Sequence, residues 1–118
     1  MREWLLSRDG GNVDPENISL LLSSLTPPPP DVRFTLATRD NIVSAINALL
    51  KKSDRKGDRF FFHFSGHGLS VNLDLSDKQG ILASDFSLED SSRSLTVTSI
   101  FELFQSCNFK EQFFTIDA

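Results

Sequence analysis

Two apolar runs dominate the chain, Phe60-Phe61-Phe62-His63-Phe64 and Phe113-Phe114-Thr115-Ile116. Short, aromatic and β-branched, they predict strands over residues 59–64 and 111–117, buried on both faces. Between residues 39 and 52 the pattern changes to a helical period. Ile42, Ile46, Leu49 and Leu50 fall on one face, Thr38 is in position to cap the first turn, and Lys51 and Lys52 close the last. Gly57 then marks the turn into the strand at 59–64. Ser99-Ile100-Phe101-Glu102 has capping-box spacing and opens a second helix reaching Cys107, with Ile100, Leu103 and Phe104 as its buried stripe. Weaker signals complete the plan. Residues 2–7 predict a helix end with Trp4 and Leu5 turned to a core, stopped by Gly10-Gly11-Asn12. Residues 17–22 predict a first strand, and Pro27 to Pro30 a surface loop. Residues 69–95 are rich in Ser and Asp, with one apolar piece at 80–83 as an extra strand or hairpin arm. Strand, helix, strand, helix, strand in that order predicts an α/β fold: a parallel sheet between helical layers, in a single domain over residues 1–118.

Composition narrows the function classes. A 39% hydrophobic and 24% charged chain of 118 residues is ordinary for a soluble domain, although eleven Phe with no Tyr is not. The net charge of −4 and the lack of a basic stripe argue against nucleic acid. Lys51, Lys52, Arg55 and Lys56 form the sole basic cluster and read as a solvated helix end. The single cysteine, Cys107, rules out an internal disulfide and fits a reducing, cytoplasmic setting. No apolar run long enough to cross a membrane is present, and no secretory leader is visible.

The chemistry concentrates at the ends of the two Phe-rich strands. The first runs into Ser65-Gly66-His67-Gly68, which delivers a histidine flanked by glycines to the carboxyl edge of the sheet, where ligands and catalytic groups collect in open α/β sheets. The second ends in Asp117-Ala118. Histidine is the side-chain type suited to proton exchange in a peptidase, and the glycines let the backbone bend and bring an amide close to a substrate carbonyl. His63, inside its strand between Phe62 and Phe64, is expected to pack against a helix with one nitrogen hydrogen-bonded. Cys107 is expected to be a small buried hydrophobe rather than a nucleophile. Asp74, Asp77, Asp85, Glu89 and Asp90 make the loop after His67 acidic; it reads as a solvated surface, with a calcium site as the alternative.

Over residues 2–118 the chain resembles the caspase and metacaspase family of cysteine peptidases. In that family Ser-Gly-His-Gly is followed about fifty residues later by Asp-Ala-Cys or Asp-Ser-Cys. Thr38-Arg39-Asp40-Asn41-Ile42 is similar to the start of the family's helix before the histidine strand, and Asp14-Pro15-Glu16-Asn17-Ile18 to its turn into the second strand. The resemblance implies a three-layer α/β/α sandwich, with His67 as catalytic base and the Gly68 amide as an oxyanion donor. It also implies that a cysteine nucleophile follows Ala118. Asp117 resembles the metacaspase acid that binds Arg or Lys before the scissile bond, with a plain strand-end cap as the alternative role. No metal ligand or obligatory cofactor is implied. The partners it implies are a protein or peptide substrate and the remainder of the catalytic domain, with further regulatory domains as an additional class.

The chain departs from the pattern at both ends. The family's first strand, expected between those at 17–22 and 59–64, and everything from the cysteine onward are absent, so the chain reads as a truncated part, inactive and poorly folded alone. The rival readings are a catalytically dead caspase-like scaffold or adaptor, and an unrelated doubly wound binding module sharing a strand-Gly-His-Gly turn.

Overall fold

The computed structural model describes residues 1–23, 30–51, 56–73 and 76–118. Pro27 to Pro29, Lys52, Arg55 and Asp74 of the sequence reading lie outside the described residues. Helix α1 (Arg2–Leu6) and a 3-10 turn (Pro15–Asn17) precede β1 (Leu21–Leu22), β2 (Thr35–Leu36) and α2 (Arg39–Lys51). Then come β3 (Lys56–Ser65), β4 (Gly68–Leu73), β5 (Ser76–Leu82), a second 3-10 turn (Ser91–Arg93), β6 (Ser94–Thr96), α3 (Val97–Gln105) and β7 (Asn108–Asp117).

The molecule is mixed α/β. β1 pairs parallel with β2, and β3 parallel with β7, while β4, β5 and β6 form an antiparallel sheet. The β3–β7 register runs from Lys56 opposite Asn108 to Ser65 opposite Asp117. Because side chains alternate across a strand, this register stacks Phe62 beside Phe114 and Phe64 beside Ile116 on one face, and Phe61 beside Phe113 on the other. The first face holds the core. Ile46 and Leu50 of α2 meet Ile100 and Phe104 of α3, with Ile81 and Cys107. Phe60, Phe62, Phe64, Phe114 and Ile116 pack beneath them. Phe104 stacks on Phe60 with ring centroids 4.4 Å apart. Its full burial contributes about 1.5–3 kcal/mol.

The opposite face of β3 and β7 is thinly covered. Phe61 stacks on Phe113 at 5.1 Å and meets Trp4 edge-on at 5.5 Å, but Trp4 is 49% and Phe113 46% exposed. The expectation of strands buried on both faces is therefore corrected: among the described residues each strand buries one face, and β7 alternates between half-buried and exposed positions over most of its length. Trp4 leans on Phe61 instead of entering the core, and α1 has no buried residue.

Several boundaries also move. The first strand is confined to Leu21–Leu22, because Pro15–Asn17 forms a 3-10 turn. Gly57 lies inside β3, where a Cβ would sit 3.2 Å from the Phe109 ring; the glycine makes room for that aromatic. α3 begins two residues before the expected Ser99, capped by the Thr96 hydroxyl, which accepts the Ser99 N–H at 3.3 Å. On α3 Ile100 and Phe104 are buried but Leu103 is 43% exposed, since one turn aligns i with i+4 better than with i+3.

The start of α2 is held from two sides. Thr38 Oγ1 accepts the Asn41 N–H at 3.3 Å, as its position predicts, and Asp85 Oδ1 accepts the Arg39 N–H at 2.9 Å. The Arg93 guanidinium reaches Asp40, Asp90 and Asp85 at 3.1, 3.2 and 3.6 Å. The hydrogen bond that Arg93 donates to the Asp40 carboxylate is the largest influence raising the Arg93 pKa. The segment after β5 is thereby tied to the helix, with Ser84 N–H donating to the Ala37 carbonyl at 2.8 Å.

The packing of Phe104 makes a stability prediction. In the intact protein, Phe104→Ala should cost about 3–5 kcal/mol in chemical denaturation, the range for emptying a packed aromatic site. Leu88→Ala, at a position 92% exposed, should cost clearly less. Equal losses would show that Phe104 is not a packed core residue.

Candidate active site

At Ser65 the chain leaves the β3–β7 pair and within three residues enters β4. Two backbone hydrogen bonds hold this turn. Gly66 N–H donates to the Asp117 carbonyl at 3.0 Å, extending the parallel ladder past Ser65. The His67 carbonyl accepts the Leu82 N–H at 3.0 Å, starting the β4–β5 ladder. His67 is thus gripped from β7 on one side and β5 on the other, and its imidazole is exposed.

The second bond also orients Gly68. In an antiparallel pair, residues that exchange hydrogen bonds alternate with residues that do not. A bond from Leu82 to His67 makes Gly68 and Ile81 a pair of the second kind, so the Gly68 N–H points away from β5. Among the described residues β4 is an edge strand, and the amide is directed to the side away from β5. An ideal Cβ on Gly68 would lie 2.9 Å from the Ala118 Cβ, which brings the end of β7 into contact with this turn. His67, Gly68, Asp117 and Ala118 are therefore assembled at the carboxyl ends of two parallel strands.

The glycines act differently from the expectation. No described glycine has a positive φ, so the turn does not draw on their torsional freedom. Gly68 is required by close approach instead. The residues that do adopt a positive φ are Asn12 and Asp31.

Asp117 is exposed. Its carbonyl holds the Gly66 N–H, while its carboxylate has no hydrogen-bond partner among the described residues. His63 departs from its expected place. Paired with Thr115, it lies on the face of Phe61 and Phe113, away from α2 and α3, and is exposed, with no side-chain hydrogen bond among the described residues. An alternating strand cannot direct both His63 and its neighbours Phe62 and Phe64 to one helix layer. Cys107 is buried at the end of α3, within the core and away from the turn.

Of the acidic loop, Asp74 and the side chain of Asp77 lie outside the described residues. Asp85 and Asp90 both face Arg93, and Glu89 is exposed. The Ser92 hydroxyl, more than Arg93, holds the Asp90 carboxyl below its ordinary range. Among the described residues no three His, Cys, Asp or Glu side chains converge as a metal site. Two grooves of the described surface, one between α2 and α3 and one between β1–β2 and α2, are not lined by His67. His67 itself stands on an exposed strand-end ledge.

Comparison with known proteins gives this ledge its context. The family described as metacaspase, peptidase C14 domain, matches residues 1–109. The chain belongs to the metacaspase family. The match takes in His67 and Gly68, and Asp117 and Ala118 lie just beyond it. A relative from a Desulfuromonadales bacterium, named as a probable protease, is 48% identical over 120 residues; the alignment covers the whole chain and 15% of that relative. No solved structure matches. Among the described residues no helix is long and apolar enough to cross a membrane.

The sequence missed β2, β4 and β6, and with them the bond from Leu82 that orients Gly68. Ile81 and Ala83, buried within a Ser- and Asp-rich segment, were the available signal. The exposure of His67 at the strand-end turn makes a direct prediction. In the intact protein, His67→Ala should change unfolding free energy by less than about 0.5 kcal/mol, as surface substitutions do. A drop of several kcal/mol in denaturant titration would give His67 a core role instead.

Proposed function

We propose that this chain is the histidine-bearing part of a caspase-like cysteine endopeptidase that cuts proteins or peptides after Arg or Lys. One observation carries the reading: His67 is hydrogen-bonded through its turn to the very end of β7, with Gly66 N–H on the Asp117 carbonyl at 3.0 Å. A residue following Ala118 enters the space beside His67, and we take it to be the cysteine nucleophile.

The chemistry follows from these positions. The exposed imidazole of His67 takes the thiol proton as sulfur attacks the peptide carbonyl carbon. The developing oxyanion is held by the Gly68 N–H at the open edge of β4 and by the cysteine's own amide. As the C–N bond breaks, His67 returns the proton to the leaving amine. Water, deprotonated by the same imidazole, then hydrolyses the thioester. These steps use side chains and backbone amides alone; calcium, if bound, would act outside them. Asp117 supplies the specificity. A carboxylate without a partner among the described residues is suited to pair with a guanidinium or ammonium group of the substrate.

The remainder of the catalytic domain is the other partner. β3 has β7 on one side and no strand on the other among the described residues. A further strand along that edge, with added helices over Phe61 and Phe113, would complete the three-layer sandwich. The relative's much greater length supports a larger polypeptide. We place the enzyme in the cytoplasm, where its thiol stays reduced.

In the full-length protein, His67→Ala should lower peptide hydrolysis by roughly a hundredfold or more, the scale of a lost general base. Profiling with a peptide library should give Arg or Lys before the cut, and Asp117→Asn should erase that preference. Cleavage after Asp would contradict the pocket, because two carboxylates would then face each other without a cation.

A further inference from the structure

We infer that Gly68 and Ala118 form a spacer that sets how closely the histidine turn approaches the end of β7, which makes Ala118 a positioning residue. The inference rests on the peptidase reading for its catalytic consequence, but its geometry is independent of that reading. Gly68 has no positive φ, so a left-handed backbone is not what excludes alanine there. What excludes a side chain is space. The added carbon would sit 2.9 Å from the Ala118 Cβ, whereas carbon atoms in contact prefer about 3.5–4.0 Å. Its other near neighbour is the Gly80 carbonyl oxygen of β5, at 3.4 Å.

Neither neighbour yields easily, because both are fixed to the backbone. The turn is tied to β7 through Gly66 and Asp117, and to β5 through His67 and Leu82. Relief therefore requires a shift of the His67–Gly68 turn relative to the end of β7. The same argument applies to position 118. Ala118 supplies one carbon, enough to contact Gly68, and a branched side chain there would push the two strand ends apart. That separation is the one across which His67 must exchange a proton with whatever follows Ala118.

The test is a compensation experiment in the full-length protein. Gly68→Ala keeps the backbone N–H, so any loss it causes reports spacing and not a deleted oxyanion donor. It should lower kcat by up to about a hundredfold, the scale of a ~1 Å misplacement, with KM little changed. Ala118→Val should do the same from the other strand. Combining Gly68→Ala with Ala118→Gly moves the single carbon from one partner to the other, and should recover most of the lost kcat. Thermal unfolding of the same proteins should follow the same pattern, with Tm lowered by Gly68→Ala and raised again in the double variant. If the unmodified protein cleaves no peptide, the peptidase reading fails and the Tm cycle alone tests the spacer. No recovery in either readout, or full activity in Ala118→Val, overturns the inference.

Discussion

The parallel pairing of β3 with β7 is the constraint on which the rest of this molecule depends. Two ten-residue strands meet without a slip between Arg59–Glu111 and Ser65–Asp117. A shift of one residue would turn Phe114 and Ile116 out of the core and expose the surface that α2 and α3 cover. The same register determines the chemistry. With Phe62 opposite Phe114, Ser65 must fall opposite Asp117, and the next residues of each strand emerge side by side. Aromatic packing far from the site thus governs where His67 stands.

The antiparallel sheet contributes what a parallel pair cannot. After β3 the backbone turns away, and the hydrogen bond from Leu82 carries it into a second sheet of different orientation. Gly68 consequently presents its N–H to an open edge. That second sheet is itself anchored: Ser84 bonds to Ala37, Asp85 caps α2, and Arg93 joins Asp40, Asp85 and Asp90. Each exposed ion pair contributes little to stability. Together with the backbone bonds, they fix the distance between the α2 start and the segment that grips His67.

The elements with strong local signals were legible in the sequence. α2 declared itself through its apolar stripe and Thr38, and both Phe-rich strands through their composition. Most of the short strands were not. β2 has two residues, and β4 and β6 lie in a Ser- and Asp-rich segment with little apolar alternation, where the piece at 80–83 announced β5 alone. The Ser-Gly-His-Gly motif around His67 was visible, but the close approach at its second glycine was not. Close approach to Ala118 links residues fifty positions apart and leaves no local trace. His63 was misjudged for a related reason: a run of Phe suggested burial on both faces, and only the fold reveals that one of them is thinly covered among the described residues.

The central claim is that His67 serves a nucleophile placed immediately after Ala118. Covalent labelling tests it most directly. A peptide ending in Arg and carrying a thiol-reactive chloromethyl ketone would be incubated with the full-length protein, and the labelled residue mapped by mass spectrometry. The account predicts a single label on a cysteine directly following Ala118, formed far more slowly in His67→Ala. A label on Cys107, or labelling indifferent to His67, would contradict it.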